Sequence, residues 1–279
     1  MSEEVSRRSA LKYLATAVAG LAIGGAAAWS AKPTPPPPKK GKFAEAPPEG
    51  TEVTVIHGFD AAYPPYTEID PTGKAVGFDV DVVNWIANKY GWKIQPKPWD
   101  WSTIMTALVA GDIDIIASGM EYTPARGEKA WYAIPYDVYW CDVVVLADEK
   151  RSLKDLLNSG GYISCQLGST ADEWADRLIS QGYNMKKLAL DSYALALQAL
   201  LDKKAVAALS DTTFTLPYLK KNSEMAKKLK ELTTLGGMAA FAIATRPEDN
   251  WLRNQINYGL RELMNDPHWN ELRAKWDLV

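Results

Sequence analysis

From about Thr51 to Val279 strand-like and helix-like stretches alternate, and few architectures accommodate such an order. "EVTVIH" and "KIQPKPW" read as strands around "GFDVDVVNWIANKYG", whose apolar Phe78, Val82, Val83, Ile86 and Tyr90 recur at helical spacing and whose end is marked by Gly91. A second unit runs from Ser102 through Ile104, Met105, Leu108 and Val109 to Gly111, then into the buried strand "IDIIAS". Strand, helix, strand, helix, strand implies an open α/β sheet with crossover helices. The pattern then starts again: strands "CDVVVLA", "YISCQ", "AVAALS", "KLKELTTL" and "GMAAFAIAT" alternate with helices "SLKDLLNSG", "STADEWADRLISQG" and "SYALALQALLDKK". Two amphipathic helices, "EDNWLRNQINYGLRELMND" and "PHWNELRAKW", finish the chain. Two α/β lobes follow, residues 51–138 with 240–279 and residues 139–239. No proline-rich linker separates them, so the crossings are expected to be hinge strands near Tyr136–Trp140 and Gly236–Ala240.

The N-terminus stands apart from this pattern. Ser6-Arg7-Arg8, followed by Leu11-Lys12 and the uncharged "YLATAVAGLAIGGAAAW", reads as a twin-arginine export signal over residues 1–31, with Ala10 where such signals usually carry Phe. Small residues at Ala26-Ala27-Ala28 and Ala28-Trp29-Ser30 suit cleavage, and the apolar stretch is also long enough to stay as an N-terminal anchor. No cysteine follows it to take a lipid. Residues 32–50, "KPTPPPPKKGKFAEAPPEG", read as an extended spacer, because proline fixes φ and removes donors. At ~3.1 Å per residue such a spacer reaches on the order of 50 Å, which favours a tethered protein.

Composition narrows the function. A formal net charge of -3 supplies no basic surface for nucleic acid, and two histidines with two cysteines are too few for a clustered metal site. No cofactor is implied. Cys141 and Cys165 both fall in expected strands and are read as buried thiols rather than a disulfide.

Five ordered stretches, "GKAVGFDVDVVNWIA", "DWSTIMTALVAGDIDIIASGMEYTPARGEKAWYAIPY", "QLGSTADEW", "SYALALQALLDKKAVAALSD" and "LMNDPHWNELRAKW", resemble the polar amino-acid class of extracytoplasmic solute-binding proteins of ABC transporters, family 3. The resemblance implies a two-lobed, periplasmic-binding-protein-like fold that closes on its ligand, with the C-terminal helices returning to the first lobe. It also implies that Arg126, beyond the motif glycine Gly119 and a Thr-Pro turn, pairs with the ligand's α-carboxylate. A guanidinium fork suits that task, whereas a surface Arg126 would pair instead with an acid such as Glu128. "LGSTADEW" would supply the rest of the carboxylate site through Gly168, Ser169 and Thr170, with Thr170 and Glu173 as a capping box at a helix N-terminus. Ser169 and Thr170 could also simply cap.

By the same resemblance Asp211, at the carboxyl edge of "AVAALS", matches an ammonium-binding aspartate; its other reading is a cap for "TTFTLPYLKK". The ligand's side chain would lie between Tyr63 and Trp101, near Asp60. Glu121 departs from the family, which usually has Ser or Thr there. It either faces solvent and bonds Lys129, pairs with Arg126, or meets a cationic group on the ligand. The function expected is an exported, monomeric binding protein that hands a small polar or basic amino acid to an ABC permease. The rival is an enzyme on the same scaffold, a dehydratase of prephenate-like acids with Glu121 or Glu173 as acid or base. A receptor's sensor module is a third and weaker reading.

Overall fold

The structure, a computed structural model, describes residues 41–278; the export signal and the start of the spacer lie outside the described residues. The first part of the chain carries Thr54–Phe59 (β1), Ala62–Tyr63 (β2), Thr67–Ile69 (β3), Ala75–Val76 (β4), Phe78–Tyr90 (α1), Lys93–Pro98 (β5), Trp101–Ala110 (α2), Ile115–Ile116 (β6), Pro124–Gly127 (α3) and Trp131–Tyr132 (β7). Then follow Asp137–Leu146 (β8), Leu153–Leu157 (α4), Tyr162–Gln166 (β9), Thr170–Ser180 (α5), Lys186–Leu190 (β10), Tyr193–Leu201 (α6), Ala207–Asp211 (β11), Thr212–Lys221 (α7), Ser223–Ala226 (α8) and Leu229–Phe241 (β12). Ala244–Thr245 (β13), Asn250–Asn265 (α9) and His268–Lys275 (α10) end the chain.

Among the described residues these strands form two five-stranded sheets, ordered β5-β1-β6-β13-β7 and β10-β9-β11-β8-β12, and a small β2-β3-β4 sheet. β1 runs parallel to β5 and β6, and β9 parallel to β10 and β11. Each set therefore ends its strands on one edge, the edge where open α/β sheets place ligands. α1 buries Phe78, Val82, Val83 and Ile86 and stops at Gly91, whose φ of 68° lets its N–H turn back to the Ala87 carbonyl. α9 packs on α1 at Gly259, where a Cβ would come within 2.9 Å of Ile86, and Trp269 of α10 meets Phe78 edge-on at 5.2 Å. The last helices thus cover the first sheet.

Three differences from the sequence reading have physical reasons. Lys186–Leu190 is a strand that the sequence reading omits; it follows the expected helix after a short turn, and its two lysines hide the apolar signal. "KLKELTTL" and "GMAAF" form one continuous strand, β12, because Gly236 and Gly237 open a register shift against β8 rather than ending the strand. The spacer is anchored before Gly50: Phe43 is buried beside Trp251, its N–H donates to Asp249 Oδ1 at 2.8 Å, and Lys42 Nζ reaches Asp114 Oδ2 at 2.6 Å. Proline-free "GKF" has the donors and the aromatic ring needed to dock. Cys141 and Cys165 are free, buried thiols on β8 and β9.

Candidate functional site

The site is built from segments that leave the sheet edges. β1 leads into Asp60, β6 into Ser118–Glu121, β9 ends on Gln166 before Gly168, and β11 ends on Asp211. Ser118 ties two of them, since its Oγ accepts the Asp60 N–H at 3.0 Å. Asp79 at the start of α1 fixes the next residue by accepting the Gly119 N–H at 2.7 Å, and it also accepts the Tyr136 hydroxyl at 2.8 Å. Burial lifts the Asp79 carboxyl to about 7. Gly119 is required for two reasons: its φ is 57°, and a Cβ there would lie 2.4 Å from the Tyr63 ring.

Asp211 immediately precedes α7, yet its side chain makes no capping bond, so the cap reading fails. Its two oxygens accept the Tyr63 hydroxyl at 2.8 Å and the Tyr193 hydroxyl at 3.0 Å. Burial, and then the neighbouring Glu121, hold the Asp211 carboxyl well above its ordinary range, while the two phenols pull it back. Asp60 is likewise raised by burial, against bonds from the Ala62 N–H and from Gln166, whose Nε2 donates at 2.6 Å. The Tyr63 ring is stacked between Tyr66 at 5.5 Å and Phe214 at 6.0 Å, which holds its hydroxyl in place.

At the other end, Thr123 caps α3 and turns Arg126 inward, leaving it 8% exposed. Arg126 Nη1 lies 2.6 Å from Glu121 Oε2 and donates to the Glu121 carbonyl at 3.1 Å; Nη2 donates to the Gly168 carbonyl at 2.9 Å. Its guanidinium carbon is 5.4 Å from the centre of the Trp101 ring. Glu121 is 1% exposed and accepts the Thr170 hydroxyl at 2.7 Å through its other oxygen. Two of the alternatives fall: Arg126 is not a surface residue paired with Glu128, and Glu121 neither faces solvent nor bonds Lys129. Burial alone would favour a neutral Arg126, but Glu121 outweighs it and strengthens the cation.

The helix start at α5 also differs from the expected capping box. Ser169, not Thr170, is the cap, accepting the Asp172 N–H at 3.2 Å, while Asp172 Oδ2 accepts the Gly168 N–H at 3.0 Å. Both "S-T-A-D" and "T-A-D-E" fit a box; the register one residue earlier wins and frees the Thr170 hydroxyl for Glu121. Glu173 is left exposed. Gly168, with φ 76°, comes so near the α2 start that a Cβ would touch the Ser102 backbone at 3.1 Å.

Asp60, Tyr63, Trp101, Ser118, Gly119, Glu121, Gln166, Tyr193 and Asp211 together line an inner chamber of about 10 Å³, room for little more than one water. Outside it, sharing Asp60 and Trp101, opens a cleft of about 720 Å³. Of the expected site residues, Asp60, Tyr63, Trp101, Gly119, Glu121 and Asp211 line these spaces, whereas Arg126 and Thr170 stand behind Glu121, and Gly168 and Ser169 form the α5 start beside them. The structure adds Ser118, Gln166 and Tyr193; Gln166 and Tyr193 stand where a strand ends and a helix begins, the only local cue in their favour.

Residues 55–278 match the profile of the bacterial extracellular solute-binding proteins, family 3. The arginine-binding extracellular protein ArtP of Bacillus subtilis is 28% identical over 82% of this chain and 88% of its own. A solved structure of an ancestral arginine-binding protein bound to arginine superposes with a TM-score of 0.73 at 31% identity, covering 80% of this chain and 97% of that one. An ancestral amino acid-binding protein described as a precursor of cyclohexadienyl dehydratase gives a TM-score of 0.71 at 28% identity, over 80% of this chain and 95% of that one.

Proposed function

Since this chain belongs to the bacterial extracellular solute-binding proteins, family 3, we propose that it captures a small basic amino acid, or an analogue of one, between its lobes and delivers it to an ABC permease. The observation that carries this reading is a set of four contacts across the cleft: Gln166 to Asp60, Tyr63 to Asp211, Thr170 to Glu121 and Arg126 to the Gly168 carbonyl. Each joins a residue of one sheet's edge to a residue of the other's, and opening the clamp would break all four. The hinge would be the paired β8 and β12 strands around Tyr139–Ala239, beside the register shift between Leu235 and Ala239. Solute entering from the outer cleft would replace these internal bonds with its own, so the closed form is stabilised by the ligand's differential contacts.

A carrier is favoured over an enzyme because the two acids suggested for chemistry are poorly placed for it. Glu121 is occupied by Arg126 and Thr170, and Glu173 is exposed. Residues 1–31 would export the chain by the twin-arginine route, and the proline-rich segment would hold a monomeric clamp near its permease. Native mass spectrometry of protein purified without denaturation tests the reading. The expected result is one small adduct per chain that exchanges against basic solutes without chemical change; turnover of added prephenate-like acids would overturn it.

A further inference from the structure

The inner chamber is lined by three carboxylates, Asp60, Glu121 and Asp211. The outer cleft adds Asp100 and Asp191 and repeats Asp60. Among the described residues no lysine, arginine or histidine lines either space. Lys97 lies over the Trp99 ring at 4.7 Å and donates to the Asp112 carbonyl at 3.1 Å. The Arg126 guanidinium stands against these acids, and it is already in contact with Glu121 at 2.6 Å. Three inner carboxyl groups thus face a single guanidinium, and the lining is acidic.

A guanidinium and a hydroxyl at a helix N-terminus are the groups that would hold a carboxylate of an incoming solute. Here both are spent on the chain's own carboxylate: Arg126 on one oxygen of Glu121 and Thr170 on the other. A solute carboxylate would have to displace a buried glutamate from its ion pair or lie beside it, and either arrangement brings like charges together in a poorly hydrated space. A solute cation would meet no like charge at Asp211 and Asp60: their oxygens are held only by the neutral donors Tyr63, Tyr193, the Ala62 N–H and Gln166, which it would displace, with the aromatic rings of Tyr63, Trp101 and Tyr193 around it. The acidic outer cleft would also concentrate cations at the entrance.

Building on the cationic-solute reading above, we propose that Glu121 acts as a built-in replacement for a ligand carboxylate, so that the protein selects amines or guanidino-amines lacking a free carboxylate over the amino acids that carry one. Asp211 and Asp60 take the solute's cationic ends, and the Glu121–Arg126–Thr170 cluster closes the chamber behind them. A cation beside Asp211 would oppose the burial that raises its carboxyl and favour the ionised form.

Calorimetry on the full chain, freed of bound solute by partial unfolding and refolding, separates the outcomes. The probes are L-arginine against agmatine and L-lysine against cadaverine, each with the parent protein, Glu121→Ser and Glu121→Gln, and folding is checked by circular dichroism. The expected result is at least tenfold tighter binding of each amine than of its amino acid by the parent, with the order reversed in Glu121→Ser as the Arg126–Thr170 seat falls vacant. Glu121→Gln, which keeps the shape, should narrow the gap if the serine variant fails to fold. Tighter binding of the amino acids by the parent protein would overturn this inference and leave the basic-solute reading standing. No binding of any of the four probes to the parent or to either variant would overturn both.

Discussion

Two buried guanidinium centres in this protein are built from the same chemistry and differ in their charge balance. Arg246 is 5% exposed and lies between Asp114 at 2.9 Å and Asp249 at 2.6 Å, with Lys42 reaching Asp114 from the docked end of the spacer. Two acids meet two bases, and the remaining donors of Arg246 go to the Leu108 and Ile113 carbonyls. That cluster ties the end of α2, the strand β6 and the start of α9 together and needs nothing from outside. The Arg126 centre has one base against Glu121, with Asp211 and Asp60 around the same chamber. A balanced cluster holds a fold together, whereas on the proposed function the unbalanced one beside the cleft is completed by a solute.

The comparison would break first at Arg246. Arg246→Ala leaves Asp114 and Asp249 buried without their guanidinium, and urea denaturation should report a loss of about 3–5 kcal/mol, with the ranking of solutes unchanged. Asp211→Asn should do the opposite. It removes a group that burial already disfavours, so the empty protein should be no less stable, yet calorimetry should show a loss of about 2–5 kcal/mol in binding a cationic solute. If both variants lost stability alike and bound alike, the distinction between the two centres would be wrong.

pH sharpens the contrast. The Asp211 carboxyl is held above its ordinary value by burial and by Glu121, and it faces Tyr63, Tyr193 and Asp142 besides. Below that raised pKa it carries a proton and grips a cation poorly. Affinity for a cationic solute should therefore rise with pH, by up to about tenfold per unit where Asp211 alone changes charge, and level off once it is ionised. Titrations at several pH values should show this slope in the parent and a flatter one in Asp211→Asn. The smallest effect is expected at Trp101, whose face borders both the chamber and the cleft: Trp101→Ala should weaken binding by about 0.5–2 kcal/mol through lost cation–aromatic contact.

Much of the fold was legible because its signals are local. α1 announces itself by Phe78, Val82, Val83 and Ile86 and by the closing Gly91, and no distant residue is needed to read it. β10 was not legible, since Lys186 is exposed, Lys187 is ion-paired with Asp172 and Asp176, and the pairing with β9 is decided across 24 residues of chain, Lys186 against Tyr162. Of the candidate site, Arg126, Asp211 and Trp101 stand within the ordered motifs, and Tyr63 rests on the family resemblance alone. Their partners were not legible: the bond from Tyr193 to Asp211, the bond from Gln166 to Asp60 and the choice of Ser169 over Thr170 as cap depend on how the sheet edges meet. The Arg246 cluster was missed for the same reason, since Lys42, Asp114 and Asp249 are brought together only by the folded chain.

A crystal structure of the protein with the solute it carries through native purification tests the central claim most directly. The account predicts Arg126 still paired with Glu121 and a cationic nitrogen of the solute within hydrogen-bond distance of Asp211. A solute carboxylate seated on Arg126, with Glu121 swung out of the chamber, would contradict it.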